Sequence, residues 1–282
     1  MRNACTRIVV IVFLLSLLAA GCRKRDEETR KGDVAFDSER RVVAGRGKRD
    51  EETPKKDNAT ETKTKAEEAT AKEVKALRER GNAAGAKGDF DLAIANYTEA
   101  IRLDPKNAKA FYNRGWANSE KGDLDRAIAD YSDAIRLDPK LVAAYCNRAG
   151  AYGRKGDLDK AIADLNDAIR LDPNNTAAYC DRGAAYGRKG DLDKAIADLS
   201  EAIRLDPKDS VAYCNRGSAF GKRGDNDKAI SDLSEAIRLD AKNAMAYYYR
   251  GLVFVLKGKK NEAEADFAEA KRLGYSRNGK AN

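Results

Sequence analysis

Three cysteines recur in register at a spacing of 34 residues, and thiols can do chemistry. Cys146, Cys180 and Cys214 each follow Ala-Tyr and precede Asn or Asp and then Arg. Cysteines repeated in this way could bind a metal, form disulfides, line a binding surface for a partner or fill a repeated core. Which of these applies depends on the elements that hold the three thiols.

The composition excludes several classes of function. The chain contains no histidine, which removes the commonest general base and the commonest metal ligand. Its net charge of +8 is spread over 282 residues without a strongly basic block. Nucleic-acid binding therefore has little electrostatic support. We expect no catalytic residues, no metal, no cofactor and no nucleic-acid partner.

Self-similarity at a period of 34 residues predicts the fold. Alignment on the Gly-Asp and Leu-Asp-Pro segments gives six contiguous units, namely 74–107, 108–141, 142–175, 176–209, 210–243 and 244–277. In the third unit, Tyr145 and Ala149 belong to one apolar stripe at helical spacing, and Ala161 and Leu165 belong to a second. The Gly-Asp pair at 156–157 is typical of a helix end followed by an N-cap. Each unit is therefore predicted to be a helical hairpin.

These units resemble the tetratricopeptide repeat (TPR) across residues 74–277. The resemblance rests on a small residue at position 8, Ala at position 20 in all six units and Pro at position 32 in the first four. Two departures stand out: position 7, commonly Leu in the family, is always Arg, and Ala241 replaces Pro in the fifth unit. The resemblance implies an all-α fold, a right-handed α-solenoid of six helix-turn-helix repeats. In the family, positions 2, 5, 6, 9, 12 and 13 of the first helices face a concave groove.

This architecture indicates what the cysteines do. They occupy position 5 of adjacent first helices, and stacked helices lie about 8–10 Å apart. A disulfide needs Cα atoms within about 7 Å, so neighbouring cysteines are too distant for an unstrained bridge or a shared metal. We predict that Cys146, Cys180 and Cys214 are small side chains that line the groove.

The groove is predicted to bind a protein partner through an extended peptide segment. Asn at position 6 can donate and accept hydrogen bonds at once, which suits a peptide backbone, although the same amides could satisfy neighbouring helix ends. Position 13 carries three cations in the middle units, which could equally be a solvated face. Aromatic residues near the two ends would serve as anchors. The candidate residues are Asn82, Asn113, Asn147, Asp181, Asn215, Arg154, Arg188, Lys222, Trp116, Tyr112, Tyr248 and Tyr249.

The arginines at position 7 are assigned a structural role. We predict that they pair with a recurrent Asp at position 23 of the same unit. The predicted pairs are Arg114–Asp130, Arg148–Asp164, Arg182–Asp198 and Arg216–Asp232.

The N-terminus has the features of an export signal. Arg2 and Arg7 precede an apolar run of 13 residues, 8–20, which is too short to span a bilayer as a helix. The segment Ala-Ala-Gly-Cys at 19–22 resembles the lipobox of bacterial lipoproteins, which implies a signal peptide at 1–21 and acylation of Cys22; an ordinary secretory signal is the alternative. Arg23 after the cysteine favours the outer membrane, with the protein facing the periplasm.

A charged tether is predicted between the lipid anchor and the repeats. Residues 22–73 are rich in Lys, Arg, Glu, Asp and Thr, with Phe36 as their one aromatic residue. Such a segment buries too little apolar surface to offset its chain entropy, so we predict that it is disordered. Its last residues favour a helix that leads into the first repeat, and residues 278–282 form a short tail.

The sequence as a whole predicts a non-catalytic, membrane-anchored scaffold of the bacterial cell envelope that binds a protein or peptide. It resembles envelope TPR lipoproteins. The alternative is a structural array that associates with itself through the exposed end of the sixth unit, and an enzyme is the least favoured class.

Overall fold

The computed structural model of the chain describes residues 58–275, with side chains from residue 67 onward. The predicted signal peptide, Cys22, most of the predicted tether and the tail lie outside the described residues. Within them the fold is an all-α array of helical hairpins, as predicted. Its helices are α1 (Asn58–Ala86), α2 (Phe90–Leu103), α3 (Ala108–Lys121), α4 (Leu124–Leu137), α5 (Val142–Lys155), α6 (Leu158–Leu171), α7 (Thr176–Lys189), α8 (Leu192–Leu205), α9 (Ser210–Arg223), α10 (Asn226–Leu239), α11 (Ala244–Leu256) and α12 (Lys260–Arg272).

The described residues fall into two compact units. The N-terminal unit ends at Ala144 and the C-terminal unit begins at Tyr145, within the first turn of α5. Odd-numbered helices are the first helices of the repeats, and even-numbered helices are the second. No helix in the described part of the chain is both long and apolar enough to cross a bilayer.

The first helix begins earlier than the sequence predicted. The disordered tether was expected to reach residue 73, but α1 starts at Asn58 and continues to Ala86. Ala, Glu and Lys dominate this stretch and are strong helix formers. Val74 and Leu77 are buried and hold the helix to the first repeat. Once part of a helix is anchored, each further residue adds a hydrogen bond without a new nucleation cost, so the helix extends backward.

The turns within the hairpins follow the sequence signals. Gly156 adopts a left-handed φ of 88°, a conformation in which glycine avoids the steric cost of a Cβ atom. Asp157 caps α6 by accepting a hydrogen bond from the backbone N–H of Lys160. Between repeats, the side chain of Asn175 caps α7 by accepting from the N–H of Ala178 at 2.9 Å. These signals recur along the array, and the first helices of repeats two to six begin at the first residues of the predicted units.

The two helices of each hairpin approach closely because position 8 is small. A methyl group added at Gly183 would lie 2.7 Å from Cγ of Leu199, and one at Gly217 would lie equally close to Cγ of Leu233. Both leucines are fully buried. A larger residue at position 8 would therefore push the two helices of its hairpin apart.

The predicted pairs between position 7 and position 23 are confirmed. Asp198 illustrates the arrangement: it is 8% exposed and accepts from Nε and Nη2 of Arg182, each at 2.7 Å. This hydrogen bonding raises the pKa of Arg182, because it stabilises the charged guanidinium. The corresponding ion pairs are Arg114–Asp130, Arg148–Asp164, Arg216–Asp232 and, in the sixth repeat, Arg250–Asp266, at 2.7–2.8 Å.

Each of these arginines stacks on an aromatic ring, and four of them also donate to the preceding repeat. Nη1 of Arg182 donates to Oδ1 of Asn166 at 2.7 Å, across the junction between repeats three and four. The same guanidinium lies 5.6 Å from the ring centroid of Tyr179, one turn earlier on α7. Arg216 contacts Ser200 in the same way, and Arg250 contacts Ser234. One side chain thus joins the two helices of its own hairpin to the hairpin before it.

We predict that Asp198→Ala destabilises the C-terminal unit by roughly 3 kcal/mol, because it leaves the guanidinium of Arg182 largely buried without its counter-charge. The double variant Arg182→Leu/Asp198→Ala should recover most of this loss, since an apolar residue then replaces the ion pair. Chemical denaturation followed by circular dichroism measures both changes.

The matched control lies on the same helix. Arg204 and Glu201 form an ion pair on the surface of α8, and Arg204→Ala should leave the denaturation midpoint nearly unchanged. If Asp198→Ala proves as mild as this control, the buried pair does not have the stabilising role assigned to it.

Candidate functional site

The candidate site is the surface formed by positions 2, 5, 6, 9, 12 and 13 of the first helices, here called the inner face. In the C-terminal unit it is built from α5, α7, α9 and α11. The pair between position 7 and position 23 turns the opposite side of each first helix toward its second helix. The inner-face positions are thereby directed away from the hairpin.

Small residues form the floor of a trough on this face. Positions 9 and 12 of the third, fourth and fifth repeats are occupied by Gly, Ala or Ser: Gly150, Gly153, Ala184, Gly187, Ser218 and Gly221. Packing does not require the glycine at every one of these sites. A methyl group at Gly153 or Gly187 would have its nearest neighbour at 3.7 or 3.8 Å, which is ordinary van der Waals contact.

The predicted cations form one edge of the trough, and two of them join successive repeats. Nη1 of Arg188 donates to the carbonyl of Gly153 at 2.8 Å, and Nζ of Lys222 donates to the carbonyl of Gly187 at 3.3 Å. These carbonyls belong to the last turn of the preceding first helix, where cations are favoured by the helix dipole. Arg154 is the third cation of the row and is exposed. The predicted cation row is therefore more ordered than a freely solvated face.

The end of the Lys222 side chain lies over a small pocket between α7 and α9. The pocket holds about 30 Å³, enough for two water-sized groups, and Ala184, Gly187, Asn215 and Ser218 contribute to its lining. Burial lowers the pKa of Lys222, because the ammonium is partly removed from water. A carboxylate in this pocket would restore favourable surroundings for that charge.

The predicted amides form the other edge, and Asn215 and Asn113 each contact a residue of the preceding repeat. Nδ2 of Asn215 lies 3.7 Å from Sγ of Cys180 in the preceding repeat. In the N-terminal unit, Nδ2 of Asn113 donates to Oδ1 of Asn82 at 3.0 Å, and the hydroxyl of Tyr97 donates to the same oxygen. The two roles predicted for position 6, binding a peptide backbone and contacting the neighbouring helix, are therefore compatible. One amide proton contacts the neighbouring repeat, while the partly exposed group retains further hydrogen-bonding capacity. Asn147 and Asp181 are half-buried at the same position.

The prediction that the cysteines line the groove is wrong for two of the three. Cys180 and Cys214 are each 1% exposed and belong to the core between repeats. The side chain at position 6 of the following repeat covers them: Asn215 contacts Cys180, and Tyr249 lies beside Cys214. Position 5 therefore points into the junction between first helices rather than into the groove.

Reactive thiol chemistry has no support at these positions. Burial, with smaller contributions from Asp181 and other carboxylates, raises the pKa of Cys146 to about 12. Burial also raises the pKa of Cys214. The three thiols carry no disulfide, and residues 67–275 contain no cluster of three acidic or thiol side chains placed to hold a metal ion.

The aromatic residues predicted as anchors at the sixth repeat are core residues. Tyr248 is 7% exposed and Tyr249 is 8% exposed. The ring of Tyr248 stacks on Tyr275 at 4.2 Å and also contacts Phe267, so it closes the end of the described array. The side chain of Tyr249 is hydrogen-bonded to Ser218, and burial raises the pKa of Tyr249 well above its usual value. Neither ring is available as a surface anchor.

Tyr112 and Trp116 are half-buried and pack within the N-terminal unit. Tyr112 lies against Tyr131 with ring centroids 5.8 Å apart. Trp116 meets the edge of Phe90 at 5.7 Å and fills the space above Gly85, where a methyl group would clash with it. Both have a packing role in repeats one and two, and only part of each ring remains exposed.

The structure also identifies inner-face residues that were not predicted. The small residues of the floor were not predicted, because Gly, Ala and Ser carry no charged, amide or aromatic group that would mark them as binding residues. Leu252, Val255 and Leu256 were missed as well, and the last two are 52% and 54% exposed. A comparison of positions 9, 12 and 13 across the repeats would have found both features.

Family models confirm the repeat type. Tetratricopeptide repeat models match residues 78–141, 176–209 and 199–231, and a TPR repeat model matches 151–190 and 217–258. The chain belongs to the tetratricopeptide repeat family. Proteins of this TPR family typically bind protein partners, and an interaction scaffold is the class of function that the fold suggests. A search of curated proteins finds no match.

Solved structures with this fold include several other repeat proteins. YrrB, titled a TPR protein with an unusual peptide-binding site, is 24% identical with a TM-score of 0.51, over 63% of this chain and 91% of YrrB. A MamA structure is 30% identical with a TM-score of 0.51, over 56% of this chain and 93% of MamA. PilF of Pseudomonas aeruginosa is 15% identical with a TM-score of 0.64, over 74% of this chain and 96% of PilF.

We predict that Cys146, Cys180 and Cys214 react slowly with Ellman's reagent at pH 8 in the folded TPR protein. The thiol of Cys146, with a pKa of about 12, has on the order of 0.01% thiolate at that pH, and burial restricts access of the reagent to Cys180 and Cys214. The measurement uses the variant Cys5→Ser/Cys22→Ser, which leaves only these three thiols. They should react at least a hundredfold faster in guanidinium chloride than in buffer. One rapid equivalent in buffer would contradict the raised pKa of Cys146, and two or more would contradict the buried placement of Cys180 and Cys214.

Proposed function

We propose that this TPR protein is a non-catalytic scaffold that binds an extended peptide segment of a protein partner along the inner face of repeats three to six. The observation that carries the proposal is the trough. Its floor is small, one edge presents amides and the other presents ordered cations. An extended backbone needs close approach and hydrogen-bonding groups, and the trough offers both.

The glycines of the floor support a binding role. Glycine in a helix interior is destabilising by roughly 1 kcal/mol relative to alanine. Gly153 and Gly187 lie in the last turns of α5 and α7, so this figure is an upper bound for them, and the contacts around them leave room for a methyl group. Their cost to helix stability is explained if a ligand passes directly over the backbone at these sites.

The similarity to YrrB adds little beyond the fold. YrrB is described as having an unusual peptide-binding site, but at 24% identity the likeness carries only the architecture. The proposal for this chain therefore rests on its own residues at positions 6, 9, 12 and 13.

The proposal includes a lipid anchor in the bacterial cell envelope. Its support is the sequence at 1–22, in which an apolar run of 13 residues is followed by Ala-Ala-Gly-Cys. Acylation of Cys22 would tether the repeats to a membrane, and Arg23 favours the outer membrane with the protein facing the periplasm. The charged residues that follow would keep the repeats clear of the lipid surface.

We predict that the double variant Asn147→Ala/Asn215→Ala loses most of its partner in affinity purification after cross-linking of the cell envelope. Each substitution removes an amide from the trough edge; Asn215→Ala also uncovers part of Cys180, so the melting temperature is measured alongside. Asn174→Ala, in an exposed turn between repeats, is the matched control and should retain the partner. The melting temperatures of all three proteins should agree within about 3 °C. Full retention of the partner by the double variant would contradict binding in the trough.

We also predict that Cys22→Ala abolishes metabolic labelling of the protein with an acyl-chain analogue and releases it from the membrane fraction. Cys5→Ala serves as the control, because Cys5 precedes the apolar run and lies within the signal peptide. Labelling that persists in Cys22→Ala would show that the lipobox assignment is wrong.

A further inference from the structure

The inner face changes its chemical character between the fifth and sixth repeats. Positions 12 and 13 carry Gly and a cation in repeats three to five, but Val255 and Leu256 in repeat six. These two side chains are more than half exposed, and Leu252 at position 9 adjoins them on the same side of α11. We call Leu252, Val255 and Leu256 the apolar turn.

The row of cations that connects the repeats stops where the apolar turn begins. Arg188 and Lys222 each donate to the last turn of the preceding first helix. Leu256 occupies the equivalent position and has no group to donate to Gly221. Repeat six therefore departs from the shared pattern at the positions that line the trough, while its pair Arg250–Asp266 keeps the shared internal pattern.

The cations next to the apolar turn retain capacity for an anion. Arg188 and Lys222 are exposed, and one carbonyl occupies only part of their five and three donor hydrogens. The partly desolvated ammonium of Lys222 faces the pocket beside Ser218. Asp181 is the opposing charge on this stretch of the inner face, and it stands on the amide edge rather than on the cation edge.

The C-terminal residues of the chain do not match this surface in charge or polarity. Residues 276–282 read Ser-Arg-Asn-Gly-Lys-Ala-Asn, a segment that is cationic and lacks a bulky apolar residue. A stable dimer buries about 1,200 Å² or more, whereas three side chains offer a small fraction of that area. A peptide with an acidic residue and a bulky apolar residue complements the surface in both charge and polarity.

The repeat geometry sets the spacing of those two residues. Lys222 and Leu256 occupy the same position in consecutive repeats, and stacked helices lie about 8–10 Å apart. An extended peptide advances about 3.3 Å per residue, so one repeat corresponds to about three residues.

We propose that the recognised segment carries an acidic residue and a bulky apolar residue about three positions apart, the acid bound by Lys222 and Arg188 and the apolar side chain seated on the apolar turn. This inference rests on the proposed peptide-binding function and specifies its ligand. It also makes Leu256 a residue that selects which peptides bind, whereas the proposed binding in the trough requires no particular side chain at that position.

The test is selection of a displayed library of random decapeptides on the full chain in detergent micelles. Enriched peptides should contain Asp or Glu and a Phe, Leu or Ile about three residues away. Synthetic versions of these peptides are then measured by fluorescence anisotropy. Leu256→Lys restores the pattern of repeats three to five, and it should weaken binding about tenfold or more because the apolar contact is lost. Lys228→Met, at an exposed cation on α10, should leave the affinity unchanged.

The outcomes separate this inference from the proposal on which it rests. One outcome is that the enriched peptides bind the trough, lose affinity for the Lys222→Met variant and keep their affinity for the Leu256→Lys variant. That outcome would overturn the proposed combination of an acidic and an apolar residue but leave peptide binding in place. A failure to enrich any peptide that competes at the trough would overturn both. Sedimentation that shows self-association abolished by Leu256→Lys would assign the apolar turn to a second copy instead.

Discussion

The buried ion pair between Arg at position 7 and Asp at position 23 is the interaction on which the rest of the array depends. Each pair links the two helices of one hairpin, and in Arg182, Arg216 and Arg250 the third nitrogen of the guanidinium also reaches the hairpin before it. Arginine is suited to this task because its planar fork makes two parallel bonds to a carboxylate and still has a donor left. Leucine at the same position would contribute packing alone. In this chain, therefore, electrostatic pairing adds to apolar packing at the junctions between repeats.

This arrangement divides each first helix into two independent faces. Positions 7 and 8 are constrained by the ion pair and by the close approach of the second helix, as at Arg182 and Gly183. Positions 9, 12 and 13 do not contribute to the ion pair, and at Gly153 and Gly187 the surroundings leave room for a larger residue. The variation that is observed, from small and cationic residues to the apolar Leu252, Val255 and Leu256, lies at these positions. Folding and recognition thus depend on different residues of the same helix, which makes each testable without the other.

The fold could be predicted from the sequence because every local signal agreed with the repeat period. Gly156, Asp157 and Asn175 marked the turns and caps, and the buried arginine pairs followed from the recurrence of opposite charges 16 residues apart. The inner face was predicted less well. Adjacent positions on a helix point about 100° apart, so neighbouring residues can differ fully in burial, and the sequence alone does not show which side chain of the next repeat covers a given residue. Cys180, Cys214, Tyr248 and Tyr249 were assigned to the groove but are buried, since position 6 of the following repeat covers the two cysteines and the last repeat packs its tyrosines into the core.

The central claim is that a partner lies along the inner face of the C-terminal unit. The most direct measurement places a photoactivatable benzoylphenylalanine at residue 188 on the cation edge, or at residue 194 on α8, in living cells. Both positions carry exposed cations, so the two substitutions have comparable effects on charge and solubility. We expect one discrete cross-linked partner from residue 188 and none from residue 194. The same partner captured equally from both positions, or only from residue 194, would contradict it.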